Sequence, residues 1–178
     1  MGSVRDWGST PEERQQGLPC DSHLERADLT LHRAVTIDAP PGTVFRWLCQ
    51  LRVAPYSYDW LDNGGRRSPQ TLDPELQRLE IGQRVMRIFT LVEFTPGVDL
   101  TILLDDERGE RLFGRLAGTY RVTPRGSASR LVVRLLVSRP RGTFRFLAPL
   151  LPIGDLVMMR RQLLNLKGLA ESSARRGD

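Results

Sequence analysis

Leu29-Thr30-Leu31-His32-Arg33-Ala34-Val35-Thr36-Ile37, then Asp38-Ala39-Pro40-Pro41, then Gly42-Thr43-Val44-Phe45-Arg46-Trp47-Leu48, is the stretch that decides the fold. Leu29, Leu31, Val35 and Ile37 alternate with Thr30, His32, Ala34 and Thr36, the period-two pattern of a half-buried strand, with Arg33 breaking the apolar row once. The strand must stop at Pro40-Pro41, because each proline removes a ladder donor. Proline is tolerated in the first turn of a helix, so the same pair can open the next element. Val44, Phe45, Leu48 and Leu51 recur at helical spacing beside Trp47, which predicts about three turns of amphipathic helix ended by Pro55.

Downstream of this unit lies a run of β-like segments. They are expected near Gln83–Phe94 (split near Phe89-Thr90), Val98–Leu104, Arg111–Val122 and Arg130–Ser138. Turn chemistry separates them: Thr95-Pro96-Gly97, the run from Asp105 to Glu110 with Gly109, and Pro124-Arg125-Gly126. Short connections between consecutive strands imply an antiparallel meander. After Pro140 an apolar approach spans Phe144 to Ile153, interrupted by Pro149 and Pro152. A final helix is expected from about Asp155, as N-cap, to Ser172, with Leu156, Met159, Leu163, Leu166 and Ala170 in one stripe and Arg160, Arg161, Asn165 and Lys167 off it.

Residues 66–82 are polar and helix-tolerant, and supply a second short helix before the meander. The predicted class is α+β: a curved antiparallel sheet around a long C-terminal helix, with two short helices after the first strand. Only the last helix is long enough to cover a sheet this extensive. One helix does not fill the concavity of a twisted sheet, so an internal cavity is expected.

Residues 1–26 are polar, with Gly, Pro and both signs of charge, and read as a flexible or loosely docked extension; 27–173 form the domain and 174–178 a tail. The first sixteen residues hold no apolar segment of a secretion signal, and no run approaches the ~20 apolar residues of a membrane span, so a cytoplasmic location is expected. Cys20 and Cys49 fall in different kinds of segment and read as reduced and unpaired. The net charge of +5 invites a nucleic-acid reading, yet of 26 basic residues Lys167 is the single lysine and the arginines are spread along the chain. That distribution reads as base-composition bias rather than a patch, so nucleic acid is not the expected partner.

The order of elements resembles the helix-grip (START-like, SRPBCC) superfamily, in particular a bacterial subgroup similar to polyketide cyclases and dehydrases. The resemblance is carried by His32 to Pro41 followed by Val44-Phe45-Arg46-Trp47-Leu48, by Val92-Glu93-Phe94-Thr95-Pro96-Gly97 with Leu100, and by Gly154-Asp155-Leu156 through Leu169. The run from Tyr56 to Asn63 and the lead-in Leu18-Pro19-Cys20-Asp21 resemble that subgroup as well. It implies the helix-grip fold over about residues 27–173. The superfamily hosts carriers, receptors and cyclases alike, so it implies no single activity.

Tyr56-Ser57-Tyr58-Asp59-Trp60-Leu61-Asp62-Asn63 is the leading site candidate. Aromatics with one polar handle suit an amphipathic ligand, and in the fold this resembles such a segment borders the pocket mouth. The competing reading packs Tyr58 and Trp60 into the core while Asp59 and Asn63 tie down a loop. Arg87 and Glu93, if inward, would be polar anchors in an apolar cavity, although a solvated outward position is the ordinary one. Leu156, Met159 and Leu163 would line the pocket from the final helix. His32 is expected at the surface, and Asp105-Asp106-Glu107 reads as a turn rather than a calcium fragment.

The sequence contains no Gly-rich phosphate loop, no Gly-x-Ser-x-Gly elbow and no His-rich metal motif, so no metal or cofactor is expected. The expected function is binding of a hydrophobic small molecule, such as a lipid, isoprenoid or polyketide, in a carrier-like module. The alternative is a cyclase, dehydratase or aromatase with Tyr56, Tyr58, Asp59 or Glu93 as proton donor or acceptor.

Overall fold

The chain folds as one curved, open sheet with a long helix laid across its concave face. The computed structural model describes residues 4–138 and 150–177. Strand β2 (Leu29–Ile37) passes through the Ala39-Pro40-Pro41 turn into helix α3 (Pro41–Cys49), as the change of period predicts, with Pro41 in the first helical turn. The meander follows as β3 (Arg84–Val85), β4 (Phe89–Thr95), β5 (Asp99–Leu104), β6 (Leu116–Arg125) and β7 (Ala128–Val137). Adding a two-residue β1 (Asp6–Trp7), the strand order is β1-β2-β7-β6-β5-β4-β3, with β1 parallel to β2 and every other neighbouring pair antiparallel. Helix α6 (Leu151–Arg176) is anchored mainly on β2 and α3.

The concave face carries Leu31, Ile37, Leu131, Val133, Leu135, Tyr120, Val122, Leu100, Ile102 and Leu91, which pack with Met159, Leu163, Leu166 and Ala170 of α6 and with Trp47 and Leu48 of α3. Leu91, Leu131, Val133 and Leu163 have no accessible surface. A side chain with none of its surface reachable by water borders no water-sized space, so these four residues are enclosed by packed side chains. Polar groups join this packing. Tyr120 donates its hydroxyl to Gln162 Oε1 at 2.8 Å, and Gln162 Nε2 donates to the Pro55 carbonyl at 2.6 Å.

Several local expectations are corrected. Residues 111–113 are not strand: Asp106 accepts from the Gly109 amide at 2.7 Å, and that cap turns the acidic run into helix α5 (Glu107–Phe113). The 66–82 stretch is mostly irregular, with one 3₁₀ turn (Pro74–Gln77), and the second short helix is instead a single turn, α4 (Asp59–Asp62). Helix α6 begins at Leu151, because Pro152 sits in a first turn that needs no N–H donor from it; Asp155 is therefore not a cap but lies in the second turn. Its carboxylate accepts from Arg33 Nε and Nη2 at 3.1 and 2.6 Å. The apolar approach read over Phe144 to Ile153 falls outside the described residues as far as 149.

The N-terminal segment is not loose. Leu18, Cys20 and Leu24 are buried against Ala117 and Leu136 on the convex face of the sheet, with α1 (Pro11–Gln15) and α2 (Cys20–His23) lying over it. His32 is buried beneath this cover rather than exposed, with Nδ1 3.2 Å from Asp6. Both cysteines are free and buried. Among the described residues no helix is long and apolar enough to cross a membrane.

Candidate functional site

The segment between α3 and β3 has little regular structure, so side chains must hold it. Gln50, fully buried, does most of this: Nε2 donates to the Tyr56 hydroxyl at 2.8 Å and to the Thr71 carbonyl at 3.2 Å, and Oε1 accepts from the Asp73 amide at 2.6 Å. One residue thereby pins both ends of the loop. Tyr56 is buried, with its ring edge-on to Trp47 at 6.0 Å and its backbone at φ 55, a left-handed conformation that costs a non-glycine residue about 1–2 kcal/mol. Its carbonyl accepts from Asn165 Nδ2 at 2.9 Å, which ties the loop to α6. Burial pushes the Tyr56 phenol up to about 12, so it stays neutral.

Asp59 and Asn63 do the loop-tying that the competing reading gives them. The Asp59 carboxylate accepts from the Ser68 amide at 2.8 Å and the Ser68 hydroxyl at 2.5 Å, and Asn63 Nδ2 donates to the Arg66 carbonyl at 2.6 Å. Asp62 is half-buried behind them, and burial raises its pKa; its Oδ1 has no hydrogen-bond partner.

This bracing leaves a cleft of about 780 Å³ between the loop and the outer side of α6. One wall is Tyr58, Asp59, Trp60, Gly65 and Arg67; the other is Arg161, Leu164, Asn165, Gly168 and Leu169; Tyr56 and Ser57 lie at the junction. Tyr58 is half-buried, and Trp60 is 74% exposed rather than packed in the core. Arg67 and Arg161 are exposed and form no ion pair among the described residues, and the carboxylate of Asp59 is already engaged. Gly168 stands in the middle of α6 with open space where a Cβ would be.

Of the residues singled out from sequence, the structure therefore brings Tyr56, Tyr58, Asp59 and Trp60 to one cleft. It does not bring the others there. Arg87 is exposed at φ 70, with Nη1 only 3.2 Å from where a Gly64 Cβ would stand, behind the turn rather than inside the cleft. Glu93 lies on the convex face, where it meets His23 Nε2 at 3.0 Å, because a bulge between Leu91 and Glu93 shifts the register of β4 against β5. Met159 and Leu163 are core residues and Leu156 is half-buried on α6; none of the three lines the cleft. Sequence reading missed Gln50, Arg67, Arg161 and Gly168. A glycine amid otherwise helical spacing was the available signal for the last.

No family model matches the chain, and no curated protein matches its sequence. Solved structures do match in shape. The hypothetical protein jhp0584 of Helicobacter pylori is similar over 86% of this chain and 95% of its own, at 12% identity and TM-score 0.55. A Nitrosospira multiformis protein is similar over 83% and 99%, at 12% identity and TM-score 0.53. The di-domain ARO/CYC StfQ from the steffimycin biosynthetic pathway is similar over 84% of this chain and 52% of its own, at 14% identity and TM-score 0.46. At 12% identity the likeness to the Helicobacter pylori and Nitrosospira multiformis proteins is one of fold alone.

Proposed function

We propose that this protein binds a small amphipathic molecule in the cleft between the 56–70 loop and α6, as a carrier or sensor rather than through an enclosed central cavity. The observation that carries the reading is Trp60. A large indole on a braced loop, mostly exposed and lining a cleft, offers a ligand a broad apolar face to bury. Tyr58 beside it and Leu164 and Leu169 opposite supply further apolar surface. The engagement of Asp59 by Ser68 leaves its carboxylate occupied as an acceptor, which favours binding over acid–base work at this position.

The test is a fluorescence titration with N-phenyl-1-naphthylamine, a neutral aromatic probe. Saturable binding is expected for the unaltered chain, at least about tenfold weaker in Trp60→Ala. Gly168→Leu, which places a side chain in the open space of the cleft wall, is expected to abolish it. Equal binding by the unaltered chain and Gly168→Leu overturns the reading, as does absence of saturable binding; native mass spectrometry of freshly purified protein, seeking a discrete small-molecule adduct, gives an independent check.

A further inference from the structure

Resting on that reading, we infer that the ligand is an organic anion: an aromatic or apolar body carrying a carboxylate, sulfo or phosphate group, held between Arg67 and Arg161 while Tyr58 and Trp60 cover the body. Arg33, Arg121, Arg130 and Arg134 each reach a carboxylate and at least one backbone carbonyl. Arg67 and Arg161, on opposite walls of one cleft, reach no carboxylate among the described residues.

The charge of the lining is therefore unbalanced. Two guanidinium groups face a single carboxylate, that of Asp59, which the amide and hydroxyl of Ser68 already occupy. A cleft with low-dielectric walls focuses such a field and raises the local concentration of anions. Guanidinium groups presented from two sides also match the planar, several-oxygen geometry of carboxylate and phosphate. Gly168 fits the same picture. Glycine inside a helix is less favourable than alanine, and here no neighbour forbids a Cβ; what the missing side chain provides is room in the cleft beside Asn165 and Arg161. The grip from two walls fits a free acid that enters the cleft, rather than a headgroup fixed in a bilayer plane.

The experiment compares N-phenyl-1-naphthylamine with 1-anilinonaphthalene-8-sulfonate, which has nearly the same body and adds a sulfonate. The neutral probe partitions more readily into apolar surroundings, so a preference for the sulfonate runs against the hydrophobic effect and reports the charge. The expected result is sulfonate binding at least about tenfold tighter, weakening with added salt, with the preference lost in Arg67→Gln/Arg161→Gln while the melting temperature holds. Equal affinities in the unaltered chain, or a preference that survives the double substitution, overturns the anion inference and leaves the cleft reading standing. Absence of saturable binding of either probe by the unaltered chain, or binding of both probes by Gly168→Leu, overturns the cleft reading instead. Vesicles of phosphatidylcholine with one third phosphatidylglycerol complete the set. No sedimentation of the protein with them supports a free acid, and sedimentation that depends on Arg67 and Arg161 assigns the anion to a lipid headgroup and overturns the free form.

Discussion

The convex face of the sheet and the cleft beside α6 are built from the same residue type and use it in opposite ways. Under the N-terminal segment, Arg134 donates to Asp21 at 2.6 Å and to the carbonyls of Arg14 and Gln16 at 2.8 and 2.6 Å; Arg130 takes both oxygens of Glu13, and Arg121 takes Asp99 and the Gly17 carbonyl. Arg33 does the same job at the end of the sheet, joining the Arg5 carbonyl to Asp155 of α6. Those guanidinium groups clamp chain segments onto the sheet. At the cleft, Arg67 and Arg161 form no ion pair among the described residues. The contrast separates arginines that structure has consumed from arginines exposed at the cleft, which the even spread along the sequence conceals.

Removing a consumed arginine must therefore cost far more than removing a spare one. Arg33→Met leaves Asp155 mostly buried without its guanidinium, and breaking such a pair costs about 3–5 kcal/mol, whereas Arg161→Gln changes stability by less than about 0.5 kcal/mol. Urea denaturation of the two variants measures both. Similar losses in the two would erase the distinction. In the double variant Arg33→Met/Asp155→Leu most of the loss is expected to return, because no unpaired charge then stays buried.

Acid sharpens the comparison between the two sides of the sheet. Burial raises the Asp155 carboxyl from 3.8 to about 6, against the opposing pull of Arg33. A folded state that holds this proton more tightly than the unfolded chain gains stability as pH falls from about 6 toward 4, and loses that gain as pH rises through about 6. His32 on the convex side has the opposite sign: burial lowers its pKa, so its contribution is present above 6.5 and lost as pH falls. Asp155→Asn removes the first effect and keeps the second. Relative to that variant, the unaltered chain is expected to gain up to about 3 kcal/mol between pH 7 and pH 4 in unfolding free energy. A difference that does not vary with pH would place the Asp155 carboxyl at its ordinary value.

How far these sites were legible in the sequence follows from how local their causes are. The change from alternation to helical spacing at Pro40-Pro41 is a property of adjacent residues, and the structure reproduces it. Arg33 stood out as the break in an apolar row, but its partner Asp155 is 122 residues away and had a local explanation as a helix cap. Glu93 could not be assigned a face, because the bulge beside it comes from pairing with β5 rather than from its own neighbours. The aromatic run at 56–60 was legible from composition alone. That it faces α6, and that Arg67 and Arg161 line the same cleft, depends on Gln50 pinning Tyr56 and Asp73, a contact with no sequence period.

The smallest expected effect tests the cleft from the side of stability. Gly168 meets nothing within 4 Å of an added Cβ and does not sit at a positive φ, so backbone sterics do not require glycine there. Gly168→Ala should then raise stability by roughly 0.5–1 kcal/mol, the ordinary gain from restoring alanine to a helix interior. Thermal melting of that single variant measures it, and the neutral probe should bind the same protein somewhat more weakly as the cleft narrows. Stability rising while binding falls identifies Gly168 as a residue kept for the space it leaves. If stability fell instead, the glycine would be serving the packing of α6, and the open wall of the cleft would be a by-product of that packing.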